Sequence, residues 1–556
     1  MANAGGALNQ LSPAEPLERI TNARRLRWTA LAFVPSSLML SATTYISTDI
    51  ASLPLLWVIP LSIYLLTLIV AFARRRMISR RLVALLMPGA TIVLVLVYLS
   101  GATQPALFLA LLHLIYLFIA SLSCHFQLAD ERPEARRLAE YYLWMSIGGA
   151  LGGLFNALLA PALFDAVVEY PLAILLATLL RPALKPRRAE SLAGPLKIAT
   201  DDAFQFSRQP ENEVAGFNRL DLLLPVVMGA LTLALGWLAG RYLPQTLETL
   251  AMVLGFPLLT SYFWRRRRWR FALAVGAVML ASVFSASFKR QTLHAERNFF
   301  GVVRVTGDSS GDLHWLYNGS TIHGRQFTAL GRQCEPISYY HRLGPLGRVF
   351  EAYQARPASP AVAVVGLGTG ATVAYSRPGE HWTFYEINPV VLEVARDPRY
   401  FTYLSNCANA PADVVLGDAR LRLRDAPHKG YGLIVLDAFS SDAIPVHLMT
   451  QEALDLYLSK LADGGLLALH ISNRSLDLHP IVADLARSRQ LICLVFADNA
   501  PNQPDGKEPS LWTVLARRAA DVEALTQDAH WRPLEGQPGR QVWTDDFSNI
   551  VGVLKW

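Results

Sequence analysis

A chain of 556 residues is too long for one ordinary hydrophobic core, so two or more domains are expected. Its 51 Lys and Arg against 44 Asp and Glu leave a net charge of +7, but the arginines sit in short clusters between apolar runs. That pattern belongs to membrane topology and argues against nucleic-acid binding. Cys124, Cys334, Cys407 and Cys493 lie far apart, with no CxxC spacing and no nearby histidine pair, so neither a disulfide framework nor a zinc site is expected.

In chain order, residues 1–27 are polar, lack a cleavable signal pattern and read as a cytoplasmic tail whose arginines flank the first apolar run. Apolar runs follow at 28–47, 54–73, 82–101, 105–127, 141–163, 168–180, 220–240, 246–263 and 271–288. Most reach the ~20 residues that a helix needs to cross a ~30 Å hydrocarbon core. They predict an α-helical polytopic domain in a lipid bilayer over 28–288, with eight or nine spans.

Basic clusters alternate with loops nearly free of Lys and Arg. They are Arg24, Arg25 and Arg27; Arg74 to Arg76 with Arg80 and Arg81; Arg132, Arg136 and Arg137; Arg181, Lys185, Arg187 and Arg188; and Arg265 to Arg268. The positive-inside rule puts the N-terminus and all these clusters in the cytoplasm. If every run crosses, the chain from 289 emerges on the opposite face. Either one run does not cross, 168–180 or, more in keeping with a cytoplasmic Arg265 to Arg268, 271–288, which keeps the following domain cytoplasmic, or that domain is external; the sequence leaves both open.

Gly148, Gly149, Gly152 and Gly153 form a small-residue face suited to close helix contact. Asp49, Glu169 and Glu248 fall near run ends, and no row of ionisable residues marks a transport path at mid-depth. The charged, Pro- and Ala-rich segment 186–218 reads as a solvent-exposed connector.

From 289 the composition is that of a soluble domain. Residues 289–330 are predicted as a small antiparallel β lead-in, because FFGVVRVTG at 299–307 and LHWLYNGSTIHG at 313–324 alternate and are broken by turn signals. A helix is expected over 336–355, starting at Tyr339, Tyr340 and His341. Within 331–556, AVAVV, WTFYE, DVVLGD, GLIVLD and GLLALHIS read as strands, and 371–376, 389–397, 446–462 and 478–489 as helical segments between or after them. That rhythm predicts an α/β fold, a class I methyltransferase-like (Rossmann-like) doubly wound sheet.

The first of these strands runs into Gly366, Gly368 and Gly370, a turn in which the missing Cβ lets a nucleotide approach the backbone. Glu386, Asp418 and Asp437 fall at strand ends and are expected to line one crevice with that turn. Glu386 suits two ribose hydroxyls, Asp418 an adenine amino group, and Asp437 an amine to be held or deprotonated. Taken alone, each acid reads rather as a helix N-cap or a loop acid. Together with the turn they point to a nucleoside cofactor, and the absence of GK[ST] argues against a Walker loop. Asp545 and Asp546, in WTDDFSN, either cap a helix or face the site, and the cap is favoured.

ERNFFGVVRV, LYNGSTIHGRQ, the Tyr339-Tyr340 pair, GLGTG, YEINP, GDAR, LDAFSSDAIP and LHISNRSLDL occur in this order over about 295–550. The series resembles the spermidine synthase (polyamine aminopropyltransferase) family in its membrane-fused bacterial branch, although the glycine motif by itself fits any class I methyltransferase. The resemblance implies a transferase of polyamine biosynthesis in the bacterial inner (cell) membrane. Its co-substrate would be decarboxylated S-adenosylmethionine, its acceptor a small amine, and it would need no metal.

In that frame Glu386 holds the ribose and Asp418 the adenine, with Gly366, Gly368, Gly370 and Ala419 completing the cofactor site. Asp437 is the implied base, with Tyr339 and Asp442 positioning the amine. Thr369 stands where the family usually carries an acid on the donor's amine, and Phe300 near where a glutamine is expected. The alternatives are methyl transfer from intact S-adenosylmethionine and a non-catalytic polyamine- or nucleoside-binding domain on a transporter or sensor. Homo-oligomerisation stays open.

Overall fold

The computed structural model describes residues 20–51, 55–75, 77–182, 217–244, 246–284, 291–308, 310–356, 361–438, 445–500 and 503–555. Most of the N-terminal tail, nearly all of the expected connector at 186–218, Arg76, Lys185, Arg187, Arg188 and Asp442 lie outside them.

The apolar runs form a helix bundle. Asn22–Ile50, Arg80–Ser100, Ala106–Asp130, Ala135–Leu163 and Leu220–Tyr242 are long and apolar enough to cross a membrane, and Val58–Phe72, Glu169–Leu180 and Leu247–Tyr262 are shorter apolar helices. Arg268–Phe284 completes the set. Inside, Trp28, Leu31, Leu117, Ile174, Phe271 and Val275 are fully buried. On the outer faces Ile69, Leu107, Val226, Met252, Leu259 and Leu280 are exposed, an apolar surface that water disfavours and hydrocarbon accepts. The glycine face works by close approach. A Cβ on Gly152 would come within 2.8 Å of the Phe33 carbonyl oxygen, and one on Gly148 would overlap that of Thr29, whereas Gly149 and Gly153 face open space.

The basic clusters gather at one end of this bundle. Arg25 pairs with Glu140, Arg27 with Glu131 and Arg80 with Asp130. Arg181 donates to the Arg265 carbonyl, and Arg270 to Asp221 at 3.0 Å. The opposite end meets the sheet region. There Arg297 donates to both carboxylate oxygens of Glu169, at 2.9 and 2.7 Å, and Ser320 Oγ to the Thr48 carbonyl at 3.3 Å. Glu169 is 1% exposed in its side chain, so its charge is sustained by this bidentate partner. In Arg268–Phe284, the run that the sequence favours as not crossing, Phe271, Ala272, Ala274, Val275 and Val278 are fully buried in the bundle.

The lead-in sheet has four antiparallel strands in sequential order: β1 (Gln291–Asn298), β2 (Gly301–Gly307), β3 (Leu313–Asn318) and β4 (Thr321–Phe327). The first strand was not foreseen, since its QTLHAERN sequence carries no apolar alternation. The second sheet contains β5 (Ala361–Val365), β6 (Trp382–Glu386), β7 (Ala412–Leu416), β8 (Tyr431–Leu436), β9 (Leu461–His470), β10 (Ile492–Asp498), β11 (Ser510–Ala516) and β12 (Arg532–Pro533). Their order is β12-β10-β11-β9-β8-β5-β6-β7, with β9 to β7 parallel and the remaining pairings antiparallel. Every residue of β6 and β8 is buried, as expected where helices cover both faces of a parallel sheet. Chain order reverses between β5 and β8, and that switch point opens a crevice at the strands' carboxyl ends.

Three local expectations change. The helix expected over 336–355 spans only Pro345–Gln354: Gly344 is its N-cap and Pro345 its first residue, so Tyr339, Tyr340 and His341 lie in the preceding loop. Cys334 and Cys407 form a disulfide across a sequence separation of 73, a pairing that spacing alone does not reveal. The fold makes it by docking the loop after β4 onto Thr402 and Tyr403. Gln326 Nε2 reaches Thr402 Oγ1 at 2.9 Å, and Tyr403 donates to the Glu335 carbonyl at 2.7 Å. Asp545 caps no helix. It takes both arms of Arg420 at 2.6 Å and the Thr450 hydroxyl at 2.8 Å, while Thr450 itself caps Gln451–Lys460.

Candidate active site

The turn after β5 is set by its backbone. Gly366, Gly368 and Gly370 have φ of 96°, 53° and 81°, values that side chains with a Cβ rarely adopt. Space forbids a Cβ as well: at Gly366 it would overlap the Asp437 carbonyl oxygen, and at Gly368 it would lie 2.5 Å from that of His323. The turn is thus pressed between β8 and the lead-in sheet. Glu386, the last residue of β6, ties it down by accepting from Leu367 N at 3.0 Å and Asn388 N at 2.8 Å. Burial raises the Glu386 carboxyl above its usual range, and the backbone N–H groups of Asn388, Leu367 and Ile387 pull it back.

Around this turn lies a cavity of about 460 Å³, within the range of small-ligand sites. Its lining includes Gly366, Gly368, Glu386, Asp418, Ala419, Asp437, Tyr339 and Tyr340, so most of the residues singled out in the sequence converge. Gly370 is not among the lining residues and packs on Leu404; Thr369 is fully buried, and a Cβ at Gly324 would come within 2.6 Å of its Oγ1. Asp418 divides its carboxylate. Oδ1 caps the helix Ala419–Arg424 through Leu421 N at 2.9 Å, and Oδ2 meets His447 Nε2 at 3.1 Å. The helix-cap reading and the cavity reading therefore both hold for it.

Asp437 follows β8, and its side chain is 5% exposed. Its Oδ2 accepts from the Tyr340 hydroxyl, and its Oδ1 meets His470 Nδ1 at 2.7 Å. The phenol of Tyr340 is raised well above its usual range, first by burial and then by the Asp437 charge. Tyr339, the tyrosine expected to position the amine, stacks on the His470 ring with centroids 4.7 Å apart, while Tyr340 supplies the hydroxyl on Asp437.

His470 and Ser472 were missed as site residues. GLLALH is a strand that His470 ends, so the strand-end position that marks the three acids marks this imidazole as well. Phe300, Asn318, Thr321 and His323 also reach the cavity, brought there by the lead-in sheet.

No family model matches the chain. Over 141 residues it is 36% identical to the polyamine aminopropyltransferase of Vibrio vulnificus (strain CMCP6), a stretch spanning 24% of this chain and 44% of that protein's length. Among solved structures, a probable spermidine synthase from Corynebacterium glutamicum ATCC 13032 aligns at 15% identity and a TM-score of 0.35, covering 47% of this chain and 98% of that one. Spermidine synthase from Thermotoga maritima aligns at 12% and 0.30, covering 48% and 84%. Over the matched 141 residues, the chain is homologous to the polyamine aminopropyltransferases that its motifs resemble.

Proposed function

We propose that the chain is a membrane-bound transferase that moves an aminopropyl group from decarboxylated S-adenosylmethionine to an amine. The observation that carries this reading is the convergence of the glycine turn, Glu386 and the Asp437–Tyr340 pair on one cavity at the sheet's switch point. The sequence similarity to a polyamine aminopropyltransferase supports it.

In this reading the ribose hydroxyls donate to the lone pairs of Glu386 that Leu367 and Asn388 leave open, and the adenine lies toward Asp418 and Ala419. The sulfonium activates its neighbouring carbon, so the chain needs only to align the amine and take one proton from it. Asp437, fixed by Tyr340 and His470, is the carboxylate that receives the amine's charge. Asp442 is a further candidate for positioning the amine.

Titration of the purified full chain with the decarboxylated donor and with intact S-adenosylmethionine tests the donor. Tighter binding of the decarboxylated form, with transfer to a polyamine acceptor, is expected. Preference for the carboxylated donor with methylated product would replace this reading with methyl transfer.

The sheet region, we infer, lies on the face opposite the arginine clusters, outside the cytoplasm. Support comes from the burial of Phe271, Ala272, Ala274, Val275 and Val278 of Arg268–Phe284 within the bundle, from the Arg297–Glu169 and Ser320–Thr48 contacts at the arginine-poor end, and from a disulfide in the sheet region. A reporter that fluoresces only in the cytoplasm, fused after Trp556, is expected to stay dark. Fluorescence would return the domain to the cytoplasmic side.

A further inference from the structure

His470 ends β9, and the pairing of Leu469 with Leu436 brings it beside Asp437. Its ring lies between Trp512, at 4.6 Å and 12°, and Tyr339, at 4.7 Å and 29°, which fixes the plane of the imidazole. Nδ1 meets Asp437 Oδ1 at 2.7 Å and Nε2 meets Ser472 Oγ at 2.7 Å. An ionised carboxylate can only accept, so the proton sits on Nδ1, and Nε2 accepts from the Ser472 hydroxyl. Ser472 Oγ also accepts from Leu511 N at 2.8 Å and lines the cavity, which leaves it one lone pair for a ligand N–H. Each Asp437 oxygen likewise accepts one hydrogen bond, and what sets Ser472 apart is its direct path to the imidazole Nε2.

We propose that the acceptor ammonium gives its proton to His470 through Ser472, with Asp437 holding the imidazole and its charge. The inference rests on the group-transfer reading above and names its base. One ammonium proton passes to Ser472 Oγ as the Ser472 proton passes to His470 Nε2. The freed nitrogen pair forms the N–C bond, and the C–S bond breaks with its electron pair on sulfur. The products are a thioether and a secondary ammonium, and the imidazolium, paired with Asp437, later releases its proton to solvent. The arrangement uses the logic of a serine–histidine–aspartate relay, with an external amine in place of serine as nucleophile.

Asp437, Tyr339 and Tyr340 face the imidazole from the neighbouring strand end and loop, and His323, Glu386, Asp418, His447, Arg474 and Glu508 line the same cavity. The test is the pH profile of kcat/KM for the purified full chain. Wild type should show an acid limb, because an imidazole that already carries both protons cannot accept another. His470→Gln keeps an N–H for Asp437 but has no proton acceptor. It should lose about 100-fold or more in kcat and lose that limb, while the donor KM stays within about threefold.

Retention of kcat within about threefold, or a surviving limb, overturns the relay. If the glutamine variant does not fold, Ser472→Ala provides the same test with His470 in place: a fall of about tenfold or more supports the relay, and unchanged turnover overturns it. Wild-type turnover that is indifferent to both variants sinks the relay alone. A wild type that transfers from neither donor sinks the functional reading and the relay together.

Discussion

At one end of the cavity, the glycine turn and Glu386 come from a single stretch, 366–386, and are fixed by backbone: three positive φ angles and two N–H groups on one carboxylate. At the other end, Tyr340, Asp437 and His470 come from three separate segments and are joined to one another through their side chains. The first end is rigid because its geometry is local. The second is reachable only after the lead-in loop, β8 and β9 have assembled. In the proposed reading, a nucleoside half with a fixed shape and a reactive half open to change would let one fold serve different acceptors.

The largest expected effect falls on the reactive end. Asp437→Asn should reduce turnover by about 10³-fold, because the amide can donate to His470 and reverse its tautomer, while nucleoside affinity measured by calorimetry stays unchanged. A parallel loss of nucleoside affinity would show that the two ends are not separable.

Gly366 joins the ends, since its Cβ position overlaps the Asp437 carbonyl and its φ is 96°. Gly366→Ala should cost about 3 kcal/mol of stability, read from denaturant unfolding, and weaken both nucleoside binding and turnover.

Glu386→Gln should lower nucleoside affinity by about 10- to 100-fold, the equivalent of 1.5–3 kcal/mol for hydrogen bonds to a charged group, and spare the rate at saturating donor. It also has a pH signature. An acid raised by burial binds more protons folded than unfolded, so its contribution to stability is lost as pH rises from the ordinary value of 4.5 through the folded one. The glutamine variant should lack that part of the slope in a pH series of unfolding curves.

The smallest change is expected for Asp418→Asn. This acid is partly exposed and already shared between a helix cap and His447, and the amide keeps the capping oxygen. A loss in nucleoside affinity of about threefold to tenfold should be seen.

Much of this was legible in the chain. Apolar runs of membrane length, the arginine alternation, the β-α rhythm and the glycine turn are periodic or local signals that do not depend on what packs against them. Other features were not. β1 has no alternation to betray it, and the disulfide joins cysteines far apart in sequence. The helix expected from 336 begins only at Pro345, because Ser338 has a φ of 66° and the chain there serves the cavity and the Glu508 contact instead.

By itself, then, the sequence determined the helical and sheet elements, the strand-end acids and the backbone form of the glycine turn, since these follow from side-chain period and from glycine's freedom at positive φ. Tertiary structure alone decided that Tyr340 rather than Tyr339 meets Asp437, that His470 and Ser472 complete that group, and that Arg297 and Glu169 join the sheet region to the arginine-poor end of the bundle. The physical reason is the same in each case. A hydrogen bond between side chains depends on distance and direction in space, and residues far apart in the chain acquire these only when the elements between them have packed.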